Sequence, residues 1–251
     1  MNPASPKNTA EILEADHCLD LSSRVSIIVA CRNEEASIEN CIDRIFSALP
    51  LAEVIVVDGG NDSTIERVRA REEQYPNLLY IKNIGDRGKG HAIKVGIEQC
   101  KREITAQIDA DLQFLPEELP QLIRPILAEQ ADFVIGTRFA KSSTRLKGGT
   151  PLSRTAGNIF FSAYASILSG HRMSDVLSGV KAWRTAVLRS YSLTSDNYSY
   201  EVELPMKALR KGYTVISVPI TTQARDKGTS SVNVIRTSLQ LLKDIFRFRT
   251  E

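Results

Sequence analysis

The sequence is short of cysteine, histidine and long apolar runs, and each shortage removes a class of function. Its 251 residues include four cysteines and three histidines. Cys18, Cys31, Cys41 and Cys100 form no C-x-x-C pair and meet no histidine at zinc-ligand spacing, so a zinc site is not expected. They read as small buried hydrophobes in a reducing compartment. His17, His91 and His171 are scattered and suggest neither a catalytic triad nor a metal centre. No stretch approaches the roughly 18 apolar residues of a membrane span. Residues 1–23 lack the basic start and apolar stretch of a secretory leader. A cytoplasmic protein is expected, or one on the cytoplasmic face of a membrane. The net charge is only +2, which excludes a globally basic nucleic-acid binder; any anion site must be local.

What is present is ordinary globular material, 42% hydrophobic and 25% charged, in a chain long enough to bury a sizeable core. Val25–Ala30, Val54–Val57, Leu78–Lys82, Ile104–Ile108 and Phe133–Ile135 are short apolar runs of the kind that form buried strands. Helical patterns lie between them. Ile38, Ile42, Ile45, Phe46 and Leu49 recur on one face, Ser63 to Glu66 has capping-box form, and Pro116 opens a further helix. Alternating strand and helix predicts an α/β fold with a mostly parallel, doubly wound sheet. The second half is less regular, with helices expected over 151–168, 201–211 and 232–248 and a strand over 213–218. Residues 1–23 read as a loose arm, 24–231 as the globular domain, and 232–251 as an amphipathic helix.

In doubly wound sheets ligands bind beyond the carboxyl ends of the strands. The polar clusters fall there: Arg32, Asn33 and Glu34; Asp58; Asp109 and Asp111; Thr137 and Arg138. Asp109-Ala110-Asp111, with Gln113 close behind, is the sharpest signal. Two carboxylates one residue apart repel each other unless a cation neutralises them. Oxygen ligands of this kind suit Mg²⁺ or Mn²⁺ together with a substrate diphosphate. The plain alternative is a solvated acidic turn. Asp58 and Glu34 could accept hydrogen bonds from a nucleoside, or could serve only as turn and first-turn acids. The glycine-rich loop Gly85 to Gly90 lacks Walker spacing, but Lys89 or Arg87 in it could reach a phosphate. Arg138, Arg154 and Arg225 carry the planar fork that suits phosphate oxygens.

Taken together, from Val25 to Phe246, these segments resemble glycosyltransferase family 2 of the GT-A fold, a Rossmann-like sheet flanked by helices with a C-terminal helical part on the acceptor side. The group most resembled is that of the dolichyl- or polyprenyl-phosphate mannosyltransferases and glucosyltransferases. The matching stretches are Ile27–Glu34, Val56–Gly60, Gly88–Gly90, Asp109–Gln113, Gly136–Arg138, Asp175–Gly179 and Val218–Ile220. The resemblance implies an inverting hexosyltransferase, moving mannose or glucose from a GDP-mannose- or UDP-glucose-class donor to a polyprenyl phosphate at a membrane surface. By it, Ala30, Arg32, Glu34, Val56 and Asp58 hold the nucleoside. Asp109, Asp111 and Gln113 hold a Mg²⁺ or Mn²⁺ ion and the diphosphate, with Ala110 between them. Arg138 and Arg225 contact phosphates. Glu203 stands where relatives with hydroxyl acceptors place a base, and Asp175 is the other candidate; Asp111, Arg138 and Glu203 form the implied catalytic set.

Three positions depart from the family pattern. Ala30 replaces a proline, Gly59 a second aspartate, and Ser231 a lysine for which Lys227 could compensate. A phosphate acceptor is already ionised and needs no base, whereas a hydroxyl acceptor does. The alternatives are therefore a soluble transferase with a hydroxyl acceptor, a non-catalytic nucleotide-sugar-binding subunit, and a nucleotidyltransferase. The helix from 232 carries Leu239, Leu242, Ile245 and Phe246 beside Arg236, Lys243, Arg247 and Arg249, and reads as a membrane anchor or a core helix.

Overall fold

The structure is a computed structural model and describes residues 19–146, 152–224 and 234–251. Expectations for the arm up to residue 18, for the side chain of Arg154, and for Arg225, Lys227 and Ser231 lie outside the described residues.

A seven-stranded sheet has the spatial order β3-β2-β1-β4-β7-β5-β8. Its strands are β1 (Val25–Cys31), β2 (Glu53–Asp58), β3 (Leu78–Lys82), β4 (Ile104–Gln107), β5 (Phe133–Thr137), β7 (Lys181–Arg184) and β8 (Val215–Pro219). Two short strands, β6 (Thr144–Arg145) and β9 (Thr221–Thr222), pair separately. The helices are α1 (Ile38–Ala48), α2 (Thr64–Glu72), α3 (Lys89–Gln99), α4 (Leu119–Leu127), α5 (Leu152–Ser169), α6 (Thr185–Arg189), α7 (Tyr200–Arg210) and α8 (Val234–Phe248). A 3₁₀ turn, Pro116–Glu118, leads into α4.

The sheet is parallel except at β7, which runs antiparallel to both β4 and β5. That strand was not expected. Gln107 pairs with Lys181, so the start of β7 lies at the carboxyl end of β4. Apolar side chains on the two sheet faces feed two cores. One holds Ile27, Val29, Val54 and Val56 against α1 and α4, the other Ile28, Ile55, Val57 and Trp183 against α3, α7 and α8. Both faces are covered, which is why β1 and β2 read as unbroken apolar runs. Leu21 and Ser22, at the end of the expected arm, are also buried.

The α2 start departs from the expected capping box, because Ser63 makes no side-chain cap. Asp62 takes that role. Its carboxylate accepts from Thr64 N at 3.1 Å, Thr64 Oγ1 at 2.6 Å and Glu35 N at 3.1 Å. Capping is thereby combined with a tie between the loops that follow β1 and β2.

Candidate active site

The turn after β4 presents Asp109, Ala110, Asp111, Leu112 and Gln113 in sequence. Leu112 is buried and left-handed, with φ of 56°. A branched residue there costs about 1–2 kcal/mol, and such outliers concentrate at functional sites. Gln113 N donates to Asp111 Oδ1 at 3.1 Å, which fixes the Asp111 carboxylate. Gln223 clamps the turn from outside, its amide donating to Leu112 O at 2.8 Å and its backbone N–H to Gln113 O at 3.1 Å. Asp109 faces Gly179, just before β7. A Cβ at 179 would overlap its Oδ2 and lie 2.7 Å from its Cγ.

Behind Asp109 runs a chain of alternating charges. Lys89 Nζ lies 2.5 Å from Asp109 Oδ1 and 3.0 Å from Glu201 Oε1. Glu201 Oε2 in turn pairs with the fully buried Lys181. Tyr200 donates to Glu201 Oε1 at 2.6 Å and Gln107 to Oε2 at 3.1 Å. Burial disfavours the Glu201 carboxylate, but Lys181 and Lys89 outweigh it and hold the group down to about 2. Lys89 is destabilised by burial, yet Asp109, Tyr200 and Glu201 raise it well above its ordinary value. Burial pushes the Asp109 carboxyl up, Lys89 pulls it down, and Asp111 pushes it up again. The net shift is upward, with burial the largest cause. Lys181, Glu201 and Gln107 were missed from sequence. A lysine in a strand and a glutamate in an amphipathic helix carry no local signal of burial; only the pairing of β7 with β4 brings them together.

The glycine loop also departs from expectation. Gly88 and Gly90 are demanded by a neighbouring loop: a Cβ at 88 would lie 2.7 Å from Asp196 O, and one at 90 would lie 2.5 Å from Ser195 O. Arg87 Nε binds Asp196 Oδ2 at 2.6 Å and Lys94 binds its other oxygen. These contacts hold the Asp196 carboxyl down to about 2. The loop is latched to the entrance of α7, and Lys89 is thereby aimed at Asp109.

At the ends of β1 and β2 the expected nucleoside residues divide. Ala30 is half-buried and Arg32 is 70% exposed along its side chain. Glu34 lies between them and α1, its Oε2 accepting from Ser37 Oγ at 2.8 Å. Val56 is a correction: alternation along β2 sends its side chain into the core, fully buried. Asp58 is fully buried as well. Its Oδ1 accepts from Gly60 N at 2.6 Å, and its Oδ2 from Tyr80 at 3.0 Å and Lys82 at 3.2 Å.

Two more expected site residues are engaged within the protein. Arg138 forks onto the buried Asp175, with Nε–Oδ2 and Nη2–Oδ1 both 2.7 Å, and its backbone N–H adds a third bond at 3.0 Å. Burial opposes the guanidinium charge and Asp175 more than restores it. The Arg138 fork and the Asp175 carboxylate are thus engaged with each other within the protein. Glu203 sits in a nest of its own. It accepts from Thr194 N at 2.7 Å, Thr194 Oγ1 at 2.9 Å and Ser195 N at 2.9 Å, and pairs with Lys207 at 2.7 Å. Its buried carboxylate is structural.

A mostly parallel sheet, a carboxylate pair beyond its fourth strand and one antiparallel strand completing that edge define a GT-A glycosyltransferase. The glycosyl transferase family 2 model matches residues 26–187, and the chain belongs to that family. It is 29% identical over 221 residues to an undecaprenyl-phosphate mannosyltransferase of Micrococcus luteus, covering 84% of this chain and 88% of that protein. It is 30% identical over 203 residues to a dolichyl-phosphate hexose transferase of Haloferax volcanii, covering 78% and 81%. Among solved structures it is similar to glucosyl-3-phosphoglycerate synthase of Mycobacterium tuberculosis in complex with Mn²⁺, uridine diphosphate and phosphoglyceric acid. There the TM-score is 0.72 at 21% identity, over 99% of this chain and 85% of that one. The expected fold class is thus borne out.

Proposed function

We propose that the protein transfers a hexose from a nucleoside-diphosphate sugar to a phosphate-bearing acceptor, with inversion at the sugar. The observation that carries this is the Asp109–Asp111 carboxylate pair just beyond the carboxyl end of β4, at the strand-order switch between β1 and β4. The donor set suits Mg²⁺ or Mn²⁺. Among the described residues no cluster of three or more His, Cys, Asp or Glu would cage an ion, so the two carboxylates leave coordination positions for diphosphate oxygens and water. When bound, such an ion offsets the charge that develops on the leaving diphosphate. Asp109 and Asp111 would hold that ion, and Lys89, next to Asp109, would add a positive charge at the diphosphate end. Glu201, itself paired with Lys181, helps Asp109 keep Lys89 protonated and holds it in place.

Glu203 and Asp175, the two carboxylates proposed from sequence as bases, are both committed to structural partners. This favours an acceptor that arrives ionised, because no proton then has to be removed. The curated relatives act on lipid phosphates by their names. The helices α5 and α8, which pack together, expose Phe160 and Ile167, and Leu239 and Phe246, the latter pair beside Lys243 and Arg249. Such faces suit an anionic lipid surface. Among the described residues no helix is long and apolar enough to cross a membrane. A second reading, a soluble acceptor glycosylated at a hydroxyl, is favoured by the likeness to the phosphoglyceric-acid-bound structure.

The test is calorimetric titration of GDP, UDP and their sugars with Mn²⁺ or with chelator, on wild type and Asp111→Ala. Metal-dependent binding of one nucleotide, lost in the variant, is expected; no binding to any of them would overturn the donor assignment. Partition of labelled product into organic solvent separates lipid phosphate from soluble acceptor.

A further inference from the structure

Gly59 stands where a side chain would meet Asp86. A Cβ there would lie 2.5 Å from Asp86 Oδ2 and 2.6 Å from its Cγ, so the Asp86 carboxylate fills the space beside the end of β2. The loop after β3 carries it there and fixes it from one side only. Asn83 Nδ2 donates to Oδ1 at 2.8 Å and Gly88 N to the same atom at 3.0 Å. Oδ2 is left facing Gly59, and among the described residues its one charged partner, Arg32 Nη1, is a long 3.7 Å away on a largely exposed side chain. Asp86 keeps 13% of its side chain exposed. Asp58, next to it, is the opposite case, with both oxygens taken up by Gly60, Tyr80 and Lys82.

We infer that Asp86 is the residue that reads the nucleoside of the donor, accepting N–H or O–H groups of the base or ribose through Oδ2. This rests on the nucleoside-diphosphate reading above. A carboxylate repels phosphate, so its ligand must offer donors; in such a substrate the nucleoside and the hexose do, and the position at the end of β2, away from the diphosphate end at β4, selects the nucleoside. The placement agrees. The diphosphate end is fixed at β4, and β1 separates β4 from β2, so a nucleotide laid along the crevice puts its nucleoside over the β1 and β2 ends. Arg32, at the mouth of that crevice, covers the nucleoside from the solvent side. The acceptor usually expected at Asp58 is displaced one loop onward, because a glycine at 59 makes room for it.

The test uses full-length protein titrated with GDP, UDP and inorganic pyrophosphate in the presence of Mn²⁺. Asp86→Asn keeps the shape and the Oδ1 bonds while removing the charge. It should weaken the preferred nucleotide by roughly 10- to 100-fold, as loss of a charge-assisted hydrogen bond does. Pyrophosphate binding should be unchanged within about twofold, and so should the thermal midpoint. In a second pair, Asp86→Gly should lose nucleotide affinity, and Gly59→Asp added to it should recover at least tenfold by returning a carboxylate from the other side of the same gap. Equal nucleotide affinity in wild type and Asp86→Asn would overturn the inference. So would a matching loss for pyrophosphate, which would mark a disturbance of the metal end. If wild type bound neither nucleotide while pyrophosphate bound normally, the donor reading itself would fall and this inference with it.

Discussion

Replacing Gly179 with alanine adds one methyl group and should disable the metal end of the site. The backbone there is not left-handed, so alanine brings no conformational strain of its own. The cost is steric. The new Cβ would overlap Asp109 Oδ2 and sit 2.7 Å from Cγ, so the carboxylate would have to retreat by roughly 1 Å to reach ordinary contact. It has nowhere easy to go, because Lys89 holds its other oxygen and Glu201 holds Lys89. A displacement of about 1 Å at a positioning group can cost about 10²-fold in rate, equivalent to about 2.7 kcal/mol of transition-state stabilisation. The expected result is a turnover about 100-fold lower and a Mn²⁺ affinity, read by calorimetry with the nucleotide present, at least tenfold weaker. The thermal midpoint should move by only a few degrees. Wild-type metal affinity and turnover in Gly179→Ala would refute the claim that this glycine exists to seat Asp109.

Three further outcomes follow from the same charges. Glu201→Gln leaves Lys181 buried without its counter-charge, a change that typically costs about 3–5 kcal/mol, so the thermal midpoint should fall by roughly 10 °C; a shift under about 2 °C would show that Lys181 is not held as described. Glu203→Gln should lower stability while leaving the pH dependence of kcat unchanged; loss of the acid limb from that profile would restore Glu203 as a base. The third concerns acid. Glu201 titrates near 2 in the folded protein against an ordinary 4.5, so the unfolded chain binds more protons between those values. Its contribution is complete above about 4.5 and is lost as the pH falls towards 2. Asp196 acts in the same sense, whereas Asp109, whose carboxyl is raised, works in the opposite direction. Chemical denaturation between pH 6 and 3 should show a steep fall below about 4.5 in wild type and a shallower one in Glu201→Gln.

Much of the sheet was legible in the sequence because β1 and β2 are buried on both faces and so carry apolar runs ending in polar residues. The same logic located the Asp109 turn. β7 was not legible: four residues, Lys181 to Arg184, with a charge at each end, give neither alternation nor an apolar run. Its burial is a tertiary fact, since Lys181 is tolerated only because Glu201, twenty residues on, meets it. Glu203 looked catalytic because an acid at the right distance along the chain cannot be told from one held in a nest of its own. Asp86 escaped notice for a related reason. Gly59 read as a missing carboxylate, and only the fold shows a loop from the next strand filling the gap.

The antiparallel entry of β7 also sets an order of events for the growing polypeptide. The four parallel strands β3-β2-β1-β4 come from the first 107 residues and can pair before β7 exists, with the Asp109 turn following their outermost strand, whereas β5 pairs only with β7 and β8. Gly179, which seats that turn, and the Lys181–Glu201 pair, which steadies Lys89, come from the last third of the chain. A ribosome that has made only the first half has therefore made β4 as an open edge, with Lys89 present for Asp109 but without the Glu201 that steadies Lys89. Sugar-transfer competence is a late acquisition of synthesis, withheld until a strand threads back between β4 and β5.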